Sequence, residues 1–202
     1  MIYQSIADIY AANEAVRRQI IERVEALSEA QQTSRPAEDC WSVTEIIEHL
    51  SMIEQNLVRL IGMLLKKAES AAATPASAPT GDDAQAAASD NAGARLFKPF
   101  SLDAQAETIR DKKLTAPEHV RPSGQIALAD ALANLHSTRA TIESFRPRLE
   151  AADLETATYP HAAFGELNAA QWLAFIGHHE ARHLRQIESL LNTSGFAHKN
   201  EG

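Results

Sequence analysis

Apolar residues recur at three- and four-residue steps in four long stretches of the chain. Ile2, Ile6, Ile9, Val16, Ile20, Val24 and Leu27 mark one face of an amphipathic helix over residues 2–28. A second helix is predicted to begin at Ser42. There S-V-T-E fits a capping box, with Ser42 accepting from the Glu45 amide and Glu45 reaching back. Its stripe runs Val43, Ile46, Leu50, Ile53, Leu57, Leu60, Leu64 and persists to about Ala68, which makes it ~40 Å long at ~1.5 Å per residue. Leu128, Leu132, Leu135, Ile142, Phe145 and Leu149 predict a third helix over 126–149. The fourth opens at Asn168, an N-cap with Gln171 three residues on, and carries Trp172, Leu173, Ile176, Ile187 and Leu190.

The intervening stretches differ in kind. Residues 29–41 are a polar connection with a proline. Residues 70–93 hold no large apolar residue and are rich in Ala, Ser, Pro, Gly and Asp, so they cannot build a core of their own. Residues 94–122 are mixed. A short polar helix is expected around Ala104 to Lys112, and prolines at 99, 117 and 122 mark an extended segment over the rest of the fold. Residues 150–167 are expected to be a loop, and 193–202 a polar tail. No stretch shows strand alternation. The expected fold is all-α: a four-helix bundle with long loops before the third and fourth helices. It forms a single domain over 1–192, with a low-complexity insert at 70–93.

Composition narrows the function. Hydrophobic residues make up 45% of the 202, aromatics only 5%, and alanine is abundant, which favours helix over sheet. A net charge of -8, with basic residues clustered no further than Lys66-Lys67 and Lys112-Lys113, argues against nucleic acid as the main partner. The single cysteine, Cys40, allows no intramolecular disulfide. The N-terminus has neither the basic start nor the apolar core of a signal peptide, and no apolar run reaches membrane-spanning length. A cytoplasmic protein with no membrane partner is expected.

The candidate chemistry lies in the fourth helix. His179 and His183 are four residues apart, one turn above another, where the apolar stripe calls for core residues. Burying polar groups costs free energy unless something pairs them, and one metal ion would pair both. The spacing alone is a weak signal in a chain with eight histidines. A third histidine, His49, sits beside Leu50 on or next to the buried face of the second helix. His178 is disfavoured as a ligand, because it lies about 140° from His183 around a helix.

Other residues carry a bland reading beside a functional one. Glu45 is a base or outer carboxylate, or simply the capping residue; Glu180 is expected on a solvated face. Gln186 either supports a ligand or satisfies the core. Trp41 and Trp172 either wall a pocket or pack, with packing favoured. Arg139, beside His136 in the third helix, either anchors an anion or pairs a carboxylate. His119 and His161 lie in loops, Cys40 is expected to be a small buried thiol, and His198 lies in the tail.

Three motifs resemble the DinB-like superfamily: W-S-V-T-E-I-I-E-H-L at 41–50, L-T-A-P-E-H-V-R-P-S-G at 114–124, and H-A-A-F-G-E-L-N-A-A-Q-W-L-A-F-I-G-H-H-E-A-R-H-L-R-Q-I at 161–187. They appear in the family's order and cover nearly the whole chain outside the insert. The resemblance implies a four-helix bundle, a homodimer, and a divalent metal, zinc or nickel, held by His49, His179 and His183. It implies a metal-dependent transferase or hydrolase acting on a small molecule, with a low-molecular-weight thiol as a further cofactor. The alternative is a non-catalytic dimeric metal-binding or interaction module. A bundle whose histidines are hydrogen-bonded core residues without metal is the third reading. Many relatives carry H-x-x-H-H in the last helix; here position 182 is Arg and the extra histidine, His178, precedes the pair.

Overall fold

The computed structural model describes residues 1–73, 97–110, 112 and 114–192. Most of the expected insert at 70–93 and the whole tail therefore lie outside the described residues. Helix α1 spans Ile6–Glu25 and is capped by Ser5, which accepts from the Asp8 amide. A short helix, α2 (Glu29–Thr33), occupies the polar connection and has its own capping box at Ser28 and Gln31. Helix α3 (Val43–Ala73) starts where predicted: Ser42 accepts from the Glu45 amide at 3.3 Å, and Glu45 accepts from the Ser42 amide at 2.9 Å. It runs on to Ala73, into the first residues of the expected insert. Helix α4 (Asp103–Thr108) is the short polar helix, and a 3-10 turn at Glu118–Val120 follows.

The predicted third helix is two helices. Helix α5 ends at Ser144 and α6 begins at Arg146, giving Leu128–Ser144 and Arg146–Ala151. Pro147 lies in the first turn of α6. Proline lacks the N–H and its ring crowds the carbonyl four residues back, so the helix must restart there. The loop before the last helix is also more ordered than its sequence suggested. After a 3-10 turn at Leu154–Thr156, strands β1 (Thr158–His161) and β2 (Gly165–Asn168) pair as an antiparallel hairpin, with His161 opposite Gly165. Its alternation is too short to register as a strand pattern, and Gly165 takes the left-handed backbone the turn needs (φ +76°). Helix α7 (Ala169–Leu191) begins on the predicted capping box of Asn168 and Gln171.

Helices α1, α3, α5 and α7 form the bundle. α1 packs on α7, and α3 packs on both α5 and α7. The buried apolar side chains fall into two groups. One holds Ile6, Ile9, Tyr10, Leu57, Ile61, Leu64, Leu65, Ile142, Leu173 and Ile176. The other holds Ile20, Val24, Val43, Ile46, Ile47, Leu50, Leu135, Leu184 and Ile187. Between them, at mid-height, each helix contributes polar side chains to the interior: Asn13 and Arg17 from α1, His49 and Glu54 from α3, Thr138 from α5, and Glu180 and His183 from α7. This polar waist positions the candidate site.

Candidate metal centre

His49, on the second turn of α3, meets His179 and His183 of α7 at the waist. Each offers a ring nitrogen, and these nitrogens all lie within 4.8 Å of one another. The His179 and His183 Nε2 atoms are 3.3 Å apart. The three ring centroids are separated by 4.6, 5.0 and 5.3 Å. His49 and His183 are buried, at 3% and 6% exposure, whereas His179 keeps a partly open face.

The outward nitrogens fix the tautomers. His49 Nδ1 lies 2.7 Å from the Val120 carbonyl, which can only accept, so this nitrogen carries the proton. His183 Nδ1 lies 2.9 Å from the Gln186 Oε1 and donates to it likewise. In both rings the lone pair is left on Nε2, on the side of the other histidines. Outer acceptors of this kind orient the histidine ligands of metal sites. The loop that carries Val120 is in turn held by Glu48. Its buried carboxylate accepts from the Ser123 amide (2.8 Å), the Ser123 hydroxyl (2.7 Å) and the Gly124 amide (3.0 Å), which staples the 118–124 loop to α3. Gly124 takes a left-handed conformation there (φ +69°).

The electrostatics keep all three rings neutral. Burial, then the neighbouring His49, pushes His183 down to about 3 despite its bond to Gln186. Burial, then His183 and His49, holds His179 well below the usual histidine range. Burial lowers His49 too, against the opposing pull of the Val120 carbonyl. A neutral imidazole with a free Nε2 is the form that binds a divalent ion. Two nitrogens at ~2.0–2.1 Å from a common tetrahedral zinc would stand roughly 3.3 Å apart, and the His179–His183 separation is 3.3 Å. That pair therefore fits two positions of a divalent cation, and His49, whose ring nitrogen lies within 4.8 Å of both, is placed to supply a third, with a position to spare for a further ligand. A hydrogen bond from His179 Nε2–H to His183 Nε2 also fits that distance.

Glu45 is structural: besides capping α3 it pairs with Arg35 through both oxygens, and although burial opposes it, the Arg35 and Ser42 bonds lower its pKa. Glu180 is not on a solvated face. It is 1% exposed and pairs with Arg17, which also pairs with Glu54; Arg17 further donates to the Leu135 carbonyl, and Thr138 donates to Glu54. Burial, then the Glu54 charge, raises the Glu180 pKa well above the carboxyl range. Gln186 supports His183. Trp41 lies against the cluster, with its ring 4.8 Å from His49 and stacked at 6.4 Å on His183. Trp172 donates to the Tyr159 carbonyl and packs among aromatic rings.

His178 points away from the cluster, with Nε2 3.5 Å from the Tyr3 hydroxyl. Arg139 pairs Glu14 and Glu143 at the surface, and His136 and His119 are exposed. His161 is half-buried on the hairpin. Cys40 is half-buried rather than buried. His198 lies outside the described residues. The sequence reading passed over Glu48, Arg17 and Glu54. For Arg17 and Glu54 the signal was present, since they occupy apolar-phase positions in the series Ile9, Asn13, Arg17, Ile20 and Leu50, Glu54, Leu57, Ile61.

Comparison with known proteins gives concordant results. A sequence model described as the DinB superfamily matches residues 12–187. An uncharacterised protein, YuaE of Bacillus subtilis strain 168, is 25% identical over 179 residues, covering 88% of this chain and 93% of that protein. The crystal structure of TT2238, a four-helix bundle protein, superposes with a TM-score of 0.56 at 19% identity, covering 92% of this chain and 99% of that one. Among the described residues, no helix is long and apolar enough to cross a membrane.

Proposed function

The chain belongs to the DinB superfamily, and from that premise we propose that His49, His179 and His183 hold one divalent metal ion used in thiol-dependent transfer or hydrolysis on a small molecule. One observation carries the reading: three neutral imidazoles converge within 4.8 Å, and two of them have Nδ1 tied to acceptors that leave Nε2 free. Zinc and nickel both suit three imidazoles. A divalent ion there would supply Lewis acidity and lower the pKa of a thiol or water brought to it. The chain's own residues do the rest. Val120 and Gln186 aim the rings, Glu48 fixes the loop that carries Val120, and Trp41 covers one side of His49. The partly open His179 marks the side from which a small molecule arrives.

A non-catalytic metal module is the second reading, and the burial of His49 and His183 at the centre of the bundle favours it. Elemental analysis of the untagged protein is expected to give about one divalent ion per chain, lost in a His49→Ala, His179→Ala, His183→Ala triple variant. No ion in the wild type, even after incubation with excess zinc and nickel, would overturn the metal reading. Chelation then separates the two uses. An enzyme keeps its fold and loses turnover in a screen of thiol-transfer and hydrolysis reactions, whereas a structural site loses melting temperature.

A further inference from the structure

The hairpin that leads into α7 holds a further imidazole, outside the three-histidine centre. His161 ends β1, and its Nδ1 accepts two backbone amides of its own turn, Ala163 N at 3.0 Å and Phe164 N at 3.2 Å. The Nδ1 lone pair is thereby committed, so the ring proton sits on Nε2. Burial lowers the pKa, which keeps the ring neutral. The result is a histidine with one defined capacity, a single N–H donor at Nε2.

That donor stands in a wall of rings leading to the centre. The His161 ring lies 4.6 Å from Phe175, 4.9 Å from Phe164 and 5.4 Å from Trp172, centroid to centroid. Phe175 in turn stacks on His179 at 5.8 Å with an interplanar angle of 28°. One aromatic ring, Phe175, thus separates His161 from the His179 ligand. The indole N–H of Trp172 is already given to the Tyr159 carbonyl. Within this wall, His161 Nε2 is the polar atom left without a hydrogen bond among the described residues.

We propose that the hairpin is the substrate-recognition element and that the His161 Nε2–H donates to a carbonyl or carboxylate oxygen of a small molecule whose other end lies at the three-histidine centre. The molecule carries a polar group at each end and spans roughly one ring between them, the separation that Phe175 sets between His161 and His179. The inference rests on the metal reading above. His161 acts here as a positioning residue, since it holds the far end of the ligand.

The alternative is that His161 only caps its turn, and one substitution separates the two. Asparagine at 161 keeps an acceptor for the amides two and three residues on, as Asn does in turns, but removes the Nε2–H and leaves only an amide N–H held close to the backbone. The experiment uses cobalt(II)-substituted full-length protein. Its visible spectrum is titrated with thiophenol, 3-mercaptobenzoate and 4-mercaptobenzoate, for wild type, His161→Asn and His161→Ala. Melting temperature and cobalt content are measured alongside. In the wild type, one of the two mercaptobenzoates is expected to bind roughly tenfold or more tightly than thiophenol, the size of a hydrogen bond to a charged acceptor. In His161→Asn that preference is expected to vanish with melting temperature and cobalt content unchanged, while His161→Ala loses turn stability as well. No preference in the wild type, or a preference surviving in His161→Asn, overturns this inference and leaves the metal reading standing. Failure to take up cobalt overturns the metal reading and this inference with it. Uptake of cobalt with no response to any thiol removes the thiol part of the proposed function and this inference, and keeps the metal centre.

Discussion

His183 shows how one side chain is prepared by its neighbours. Its Nδ1 is held by Gln186, its ring is covered by Trp41, and burial pushes its pKa down to about 3. Gln186 lies three residues on in the same helix, so a local contact sets the ring's rotation. Gln186→Ala is expected to keep the fold and weaken divalent metal binding roughly 10–100-fold, the usual cost of losing an outer partner. Competition against a chromophoric chelator measures this, and unchanged affinity would mean that packing alone orients His183. Glu45 and Glu180 make the converse point. Each neighbours a candidate ligand in the chain, yet Glu45 is held by its cap and Arg35, and Glu180 by Arg17. Proximity in sequence to a histidine did not make either a participant.

At the scale of elements, the centre depends on a loop stapled to a helix. Glu48 stands one residue before His49 and faces the 118–124 segment, so the same turn of α3 presents a ligand and the anchor for that ligand's support. Glu48→Ala would leave the Ser123 and Gly124 amides without their acceptor, at a cost of about 1–3 kcal/mol. It is expected to lower stability in denaturant melts and also to weaken metal binding, because Val120 loses its position. A loss of stability with unaltered affinity would show that the loop does not aim His49. The break at Pro147 and the hairpin at 158–168 belong to this scale as well. The first follows from a missing backbone donor and was readable at one residue. The second follows from four pairings that only the closed turn brings together.

For the molecule as a whole, the governing feature is a polar waist between two apolar cores. Three neutral histidines and an Arg17–Glu54–Glu180 cluster share it, and their titrations oppose one another. Depressed histidine pKa values mean that the unfolded chain binds protons first. The stability the histidines confer is present above about pH 6.5, the unfolded value, and is lost as pH falls from there toward about 3, the value for His183. Glu180, with its raised pKa, contributes stability that is present at low pH and lost as pH rises. Three histidines against one carboxyl set the net sign. The metal-free protein is expected to melt at progressively lower temperature between pH 7.5 and 5, with a shallower slope in a His49→Leu, His179→Leu, His183→Leu variant. A melting temperature that holds level or rises on acidification would contradict burial of the three rings in neutral form.

Four long helices, two of their capping boxes and the candidate histidines are legible in the chain alone, because each is written in local periodicity or spacing. Apolar residues at three- and four-residue steps can satisfy only one helical face, and Ser42 with Glu45, or Asn168 with Gln171, closes a helix start within four residues. What the polar residues in apolar phase do depends on how the helices pack. Arg17, Glu54 and Glu180 lie on three different helices, and nothing local says that their charges meet in the interior. The structure likewise decided which carbonyl holds His49, since Val120 is 71 residues away along the chain. It also decided that a turn after β1 commits one nitrogen of His161 and frees the other. Such pairings depend on how helices and loops pack, and packing is a property of the whole chain rather than of any one stretch.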